Sequence, residues 1–141
     1  MERMAISMLK ILISDPLHQA GVDYFNGLSD IQADVQIGLT PEELLNVIPD
    51  YHGIVVRSET QVSADVLEAG KLLQVVGRAG VGVDNIDLEA ATRQGIAVVN
   101  APTGNTFAAA EHTIALLMAL SRNVSQADAS LKKGEWRRSQ F

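Results

Sequence analysis

Short apolar runs recur along the chain, and most are followed by a segment with helical spacing. Leu9-Lys10-Ile11-Leu12-Ile13 predicts a strand that stops at Ser14-Asp15-Pro16, where a helix start is expected. Val22, Phe25 and Leu28 then recur at helical spacing, with Gly27 near the end of that helix. From Ile31 to Ile37 apolar residues alternate with polar ones (Ile31, Ala33, Val35, Ile37), the pattern of a half-buried edge strand. Thr40-Pro41-Glu42-Glu43 is a helix start: a capping Thr, a Pro at the first helical position, and acids near the positive helix end. Gly53 to Val56 is a third strand, ended by Arg57-Ser58, after which Ser63 caps a short helix carrying Val66 and Leu67. A fourth strand is expected from Leu72 to Val76, running into Gly77-Arg78-Ala79-Gly80-Val81-Gly82. Asp84 or Asn85 should open the next helix, with Ile86, Leu88 and Ala91 on one side and Gly95 at its end. Ile96 to Val99 is the fifth strand, stopped by Asn100-Ala101-Pro102.

Five strands separated by helices, with nearly continuous apolar runs, specify a parallel sheet with helices on both faces. The expected fold is α/β: a flavodoxin-like, doubly wound five-stranded sheet in the order 2-1-3-4-5, with a long C-terminal helix. That helix runs from Asn105 to Arg122. Phe107, Ala110, Ile114, Leu117 and Met118 form a stripe on it, and Leu116, Ala119 and Leu120 widen the stripe beyond the needs of a surface helix. A homo-oligomer joined through Phe107, Ile114, Leu117 and Met118 is therefore expected. The segment Lys132 to Arg138 is a basic tail.

Composition narrows the classes. The net charge of −6 argues against nucleic acid, and the absence of cysteine excludes disulfides and thiolate metal sites. The three histidines, His18, His52 and His112, are scattered without metal-ligand spacing, so no metal is expected. Met1 to Ser7 contains no run of signal-peptide length, and Ile114 to Leu120 is too short to span a bilayer, so a cytoplasmic protein is expected. Met8 directly precedes the first strand, so residues 1–7 read as an upstream start or a cloning scar.

In an open parallel sheet, ligands bind beyond the carboxyl ends of the strands. Arg57, Arg78 and Asn100 fall at or near three such ends, and Asn105 opens the long helix. One such Arg would ordinarily pair with a local carboxylate. Two on neighbouring strand ends, with Asn105 nearby, suit a phosphate or carboxylate. The Gly77 to Gly82 stretch is not a dinucleotide fingerprint, because position 85 is Asn where a third glycine is required. Its glycines let the backbone approach a small ligand, or supply a turn with positive φ.

Val55-Val56-Arg57-Ser58, then Val75 to Asp87, then Val99-Asn100-Ala101-Pro102-Thr103-Gly104-Asn105-Thr106, resemble the D-2-hydroxyacid dehydrogenases. Arg57-Ser58, Gly77-Arg78 and Gly104-Asn105 favour the branch that oxidises 3-phosphoglycerate with NAD in serine biosynthesis. The resemblance implies that Arg57, Ser58, Arg78, Val81, Gly82 and Asn105 hold the substrate anion and that Val81 also borders the nicotinamide. It implies a substrate-binding domain over residues 1–100, with residues 101–141 supplying the first helix of an NAD-binding domain. The family's NAD fingerprint and its catalytic Arg, Glu and His have no counterpart in these residues. The chain by itself is therefore expected to bind no NAD, to carry no catalytic residue, and to hold 3-phosphoglycerate weakly. The competing reading is a stand-alone flavodoxin-like module that binds small anions or a protein.

Overall fold

A computed structural model describes residues 8–141; the reading of residues 1–7 lies outside them. The chain divides into two compact units, Met1–Gly104 and Asn105–Phe141.

The first unit holds five strands, β1 (Leu9–Ile13), β2 (Ile31–Val35), β3 (Gly53–Val56), β4 (Val75–Arg78) and β5 (Ala97–Asn100). All neighbours are parallel and their order is β2-β1-β3-β4-β5. The crossovers carry α1 (Gln19–Asn26), α2 (Pro41–Val47), α3 (Ala64–Ala69) and α4 (Leu88–Gln94). Leu12, Ile54, Val56 and Val76 turn to one face and pack with Leu44, Val66, Leu67, Ala90 and Ala91 of α2, α3 and α4. The alternation along β1 sends Ile11 and Ile13 to the opposite face, where α1 packs beside β2 and both residues are buried. Side chains buried on both faces explain why the interior strands read as continuous apolar runs.

Local chemistry sets the helix ends. Thr40 accepts from the Glu43 N–H, and the Glu43 carboxylate accepts from the Thr40 N–H at 2.8 Å, a reciprocal cap on α2. Gly95 ends α4 at φ 70, a left-handed position where a side chain is strained.

Several boundaries differ from the sequence-based expectation: α1 starts at Gln19 and not at Ser14-Asp15-Pro16, β2 ends at Val35, β5 runs one residue later, and β4 and α4 shift as follows. The fourth strand starts at Val75, three residues late, because Leu73 is needed in the core beneath a turn closed by the Leu73 N–H to Gly70 C=O bond. It continues through Arg78, which pairs in register with Val56 and Asn100. The next helix opens at Leu88, with Asp87 as its cap through the Ala90 N–H (2.9 Å), and not at Asp84 or Asn85. The chain from Val83 to Ile86 instead forms a turn that brings Ile86 against Val62 in an isolated bridge.

The edge strand also departs from its alternation after Ala33. Val35 and Ile37 are about half exposed. Asp34 turns inward in their place, because the buried Tyr51 hydroxyl donates to it at 3.0 Å while accepting from Gln36 at 2.9 Å. Burial, followed by the Asp34 hydrogen bond and charge, pushes the Tyr51 phenol up to about 12. A polar anchor thus overrides the period-2 pattern at the sheet edge.

The second unit holds α5 (Thr106–Ser121) and α6 (Val124–Lys132), joined at Asn123 with φ 50, a left-handed position that Asn tolerates. The long helix agrees with expectation, and α6, between it and the basic tail, was not anticipated. Phe107, Ile114, Leu116, Leu117, Met118 and Leu120 of α5 are all exposed. No helix of the described residues is long and apolar enough to cross a membrane.

Two glycines should respond oppositely to alanine. A Cβ at Gly53 would lie 2.7 Å from Ile11 Cδ1 and 3.1 Å from Val75 Cγ1, whereas one at Gly21, inside α1, would meet nothing within 4 Å. Gly53→Ala is expected to cost about 1–3 kcal/mol by overpacking. Gly21→Ala should add about 0.5–1 kcal/mol through helix propensity. Urea denaturation of each variant, read against the parent chain, checks both signs.

Candidate functional site

The carboxyl ends of β1, β3, β4 and β5 converge on one polar network, and the backbone of Arg57 is its centre. Asp15, directly after β1, is 1% exposed. Its carboxylate accepts from the Arg57 N–H (2.6 Å), the Glu59 N–H (3.2 Å), the Thr60 N–H (3.1 Å) and the Thr60 hydroxyl (2.5 Å). A buried carboxylate is tolerated only with such compensation. Burial raises its pKa, but the Thr60 hydroxyl and the backbone donors of Arg57, Thr60 and Glu59 together outweigh burial and hold the carboxyl below its ordinary value of 3.8.

The carbonyl of Arg57 is fixed from the other side. It accepts from Arg78 Nε (2.9 Å) and Asn85 Nδ2 (2.9 Å), and Asn85 Nδ2 also reaches the Thr60 carbonyl (2.6 Å). Three side chains from separate segments therefore pin one peptide unit on each side of the Arg57 Cα. The Arg57 guanidinium, by contrast, is exposed, and its contact with the Pro16 carbonyl is long at 3.4 Å. The result is a solvent-facing cation on a rigid base. Ser58 lies next to it and is exposed.

Arg78 is held differently. Its side chain is only 10% exposed. Besides the Arg57 carbonyl, it donates through Nη1 to the Gly82 carbonyl and lies 3.5 Å through Nη2 from the Asp84 carboxylate. Each cationic end of Arg78 thus has a local partner, the arrangement expected of an arginine serving its own loop. Asn100, at the end of β5, donates to the Val81 carbonyl at 2.6 Å, and the Ala101 N–H to the Gly80 carbonyl at 2.9 Å, so β5 clamps the same loop. Among the described residues nothing accepts from the Val81 and Gly82 N–H groups.

Among the glycines of this loop, Gly82 serves a third purpose that neither expectation named. None of them has positive φ. A Cβ at Gly82 would sit 2.8 Å from Asp84 Oδ1 and 3.0 Å from Arg78 Nη1, and one at Gly80 would sit 3.5 Å from Arg78 Nη1. Gly82 makes room for the Arg78 guanidinium, whereas a Cβ at Gly80 would make only ordinary contact. The loop does not fit a dinucleotide either: α4 begins only at Leu88, so no helix N-terminus follows the glycines to receive a pyrophosphate.

The structure therefore gathers Arg57, Ser58, Arg78, Val81 and Gly82 at one end of the first sheet. Asn105 stands at the start of α5 in the second unit, where its side chain makes no capping bond. The histidines fall elsewhere: His18 caps α1 through the Ala20 N–H, His52 accepts from the Lys10 N–H, and His112 is exposed on α5. Sequence reasoning passed over Asp15 and Asn85, taking each for a helix opener. Read locally, Asp15-Pro16 has the same cap-and-Pro pattern as Thr40-Pro41, so only the tertiary structure, in which α1 starts at Gln19, separates them.

Comparison with known proteins fits this geometry. The sequence profile of the D-isomer specific 2-hydroxyacid dehydrogenase catalytic domain matches residues 11–135. The chain belongs to that family. It is 48% identical over 137 residues to the D-3-phosphoglycerate dehydrogenase of Synechocystis sp., covering 97% of this chain and 24% of that protein. A crystal structure of a Thermus thermophilus protein superposes with a TM-score of 0.81 at 33% identity, over 92% of this chain and 42% of that one. The NAD+-bound 3-phosphoglycerate dehydrogenase of Entamoeba histolytica gives a TM-score of 0.70 at 26% identity, over 79% and 38%. The chain thus spans about a quarter of the length of the curated relative. These likenesses favour a dehydrogenase segment over a separate anion- or protein-binding module.

Asp15 should leave a signature in acid. A depressed folded-state pKa means that its contribution is present above the ordinary value of 3.8 and is lost as pH falls through the lower folded value. Asp15→Asn is expected to cost about 3 kcal/mol at neutral pH, because an amide cannot accept all four hydrogen bonds. It should also flatten the loss of stability below pH ~4. Urea denaturation across the acid range measures both, and a variant as stable as the parent would contradict the assignment.

Proposed function

We propose that this chain is the substrate-holding N-terminal part of a D-3-phosphoglycerate dehydrogenase, which oxidises 3-phosphoglycerate to 3-phosphohydroxypyruvate with NAD in serine biosynthesis, in the cytoplasm. The observation that carries the proposal is the 48% identity to such an enzyme across 97% of the chain. The Arg57 node supports it in chemical terms.

In this reading Arg57 and Ser58 meet one anionic end of the substrate, and Arg78 with the Val81 and Gly82 N–H groups meets the other. Asn105 is assigned to an anion by the family resemblance alone, and Val81 also borders the nicotinamide. NAD supplies the hydride acceptor when bound, and of the residues named here only Val81 is assigned to it. Residues 1–100 form the substrate-binding domain, and residues 101–141 open the NAD-binding domain. These residues bind and orient the substrate; no proton-transfer group is assigned to them. An Arg–carboxylate or Arg–phosphate pair is strongest when two oxygens meet a held guanidinium, and the fixed Arg57 backbone provides that support.

NMR titration with 3-phosphoglycerate should move the signals of Arg57, Ser58, Arg78 and Gly82 first, with a Kd on the order of millimolar for a solvated site. Arg57→Ala combined with Arg78→Ala should abolish the response. Shifts centred elsewhere would refute the site.

The exposed α5 side chains support a further part of the proposal, a homo-oligomer joined through Phe107, Ile114, Leu117 and Met118. Large apolar side chains gain roughly 1.5–3 kcal/mol each on burial. Light scattering over a dilution series should show a species larger than a monomer, which Ile114→Lys with Leu117→Lys dissociates.

A further inference from the structure

The Arg78 guanidinium is largely engaged by its own loop. Its side chain is 10% exposed, Nη1 is bound to the Gly82 carbonyl, and Nη2 faces the Asp84 carboxylate at 3.5 Å. We propose that Asp84 is an internal competitor for the substrate anion: its carboxylate and the Gly82 carbonyl occupy the outer end of Arg78, and both must yield before a phosphate or carboxylate can bind there. This inference rests on the reading of Arg78 as an anion-binding residue.

Three features of the loop fit an exchange of partners. The inner end of Arg78 is anchored independently, since Nε donates to the Arg57 carbonyl at 2.9 Å, and that bond need not break when the Nη atoms change partner. The two internal acceptors are both oxygens, so two oxygens of one carboxylate or phosphate replace them without leaving an N–H unpaired. Asp84 itself is 84% exposed, so its release into water costs little and the competition is mild. Gly82 makes the internal pairing possible. A Cβ there would lie 3.0 Å from Arg78 Nη1 and 2.8 Å from Asp84 Oδ1. The missing side chain lets the carboxylate close on the guanidinium in the absence of ligand and lets an anion take that place in its presence. Asp84 is on this account a positioning residue. It keeps Arg78 aligned and neutralised until an anion of better geometry arrives.

The test is an NMR titration of the whole chain with 3-phosphoglycerate, and separately with inorganic phosphate, at about 0.15 M salt. Asp84→Asn removes the competing charge at an exposed position and should not disturb folding. Asp87→Asn is the control for general charge, because Asp87 caps α4 through the Ala90 N–H and Asn caps a helix equally well. Asp84→Asn should tighten binding of either probe by about two- to fivefold, the range of an exposed ion pair, while Asp87→Asn changes it by less than half as much. In the ligand-free chain, Asp84→Asn should also broaden the Arg78 Nη signals, a readout that a purely structural role for Asp84 would not move in step with affinity. Equal effects of the two variants overturn the proposal, as does unchanged or weaker binding in Asp84→Asn while the parent's Arg57 and Arg78 signals still respond. Silence of both arginines in the parent chain instead overturns the substrate-site reading on which the inference stands.

Discussion

The hydrogen bonds converging on the Asp15 carboxylate tie the end of β1 to the loop that follows β3, and the rest of the site depends on that tie. Neighbouring parallel strands are joined by ladder bonds only along their length; beyond the last ladder bond the chain ends would splay. A buried anion with four donors prevents this, because every donor that moves away leaves charge without compensation in a medium that solvates it poorly. The Arg57 N–H, at 2.6 Å from Asp15, is the shortest of the backbone donors and sets where the guanidinium is presented.

A second set of bonds builds on the first. Arg78 and Asn85 both donate to the Arg57 carbonyl, so the loops after β3 and β4 are organised around one peptide segment. Asn100 and Ala101 then fasten the β4 loop to the end of β5. The hierarchy is directional. Asp15 is buried and has no alternative partner in water, while Arg78 lies at the surface end and shares its donors between backbone and Asp84. Stability is concentrated at the base of the site, and adaptability at its outer edge, as a binding site on a rigid sheet requires.

The two arginines illustrate how burial separates similar residues. They lie on adjacent strand ends, in a register that pairs Val56 with Arg78. Arg57 lies one step beyond its strand, so its backbone is captured and its side chain is left to solvent. Arg78 is still within β4, so its stem runs across the sheet end and its guanidinium folds over the loop that follows.

The sequence by itself determined the sheet and its order, because each interior strand is a short apolar run and the crossovers carry local start and stop signals such as Thr40 with Glu43, and Gly95; Ser63 opens its helix without the capping bond expected of it. These are local interactions, legible within a window of a few residues. The long helix was legible for the same reason, and the placement of Arg57 and Arg78 at neighbouring strand ends was legible because a parallel sheet collects the ends of its strands on one side. What the sequence left undetermined depends on partners far apart in the chain. Asp15 meets Thr60, Asn85 meets Arg57, and Tyr51 meets Asp34; each polar side chain, read locally, looks like a turn or cap residue or a break in periodicity. The late start of α4, where Asn85 is drawn to Arg57, follows from such contacts, and so does the inward turn of Asp34. Burial decided them, because a polar group enclosed by the fold must find its donor or acceptor wherever the tertiary structure places one, and that choice can override the pattern of neighbours along the chain.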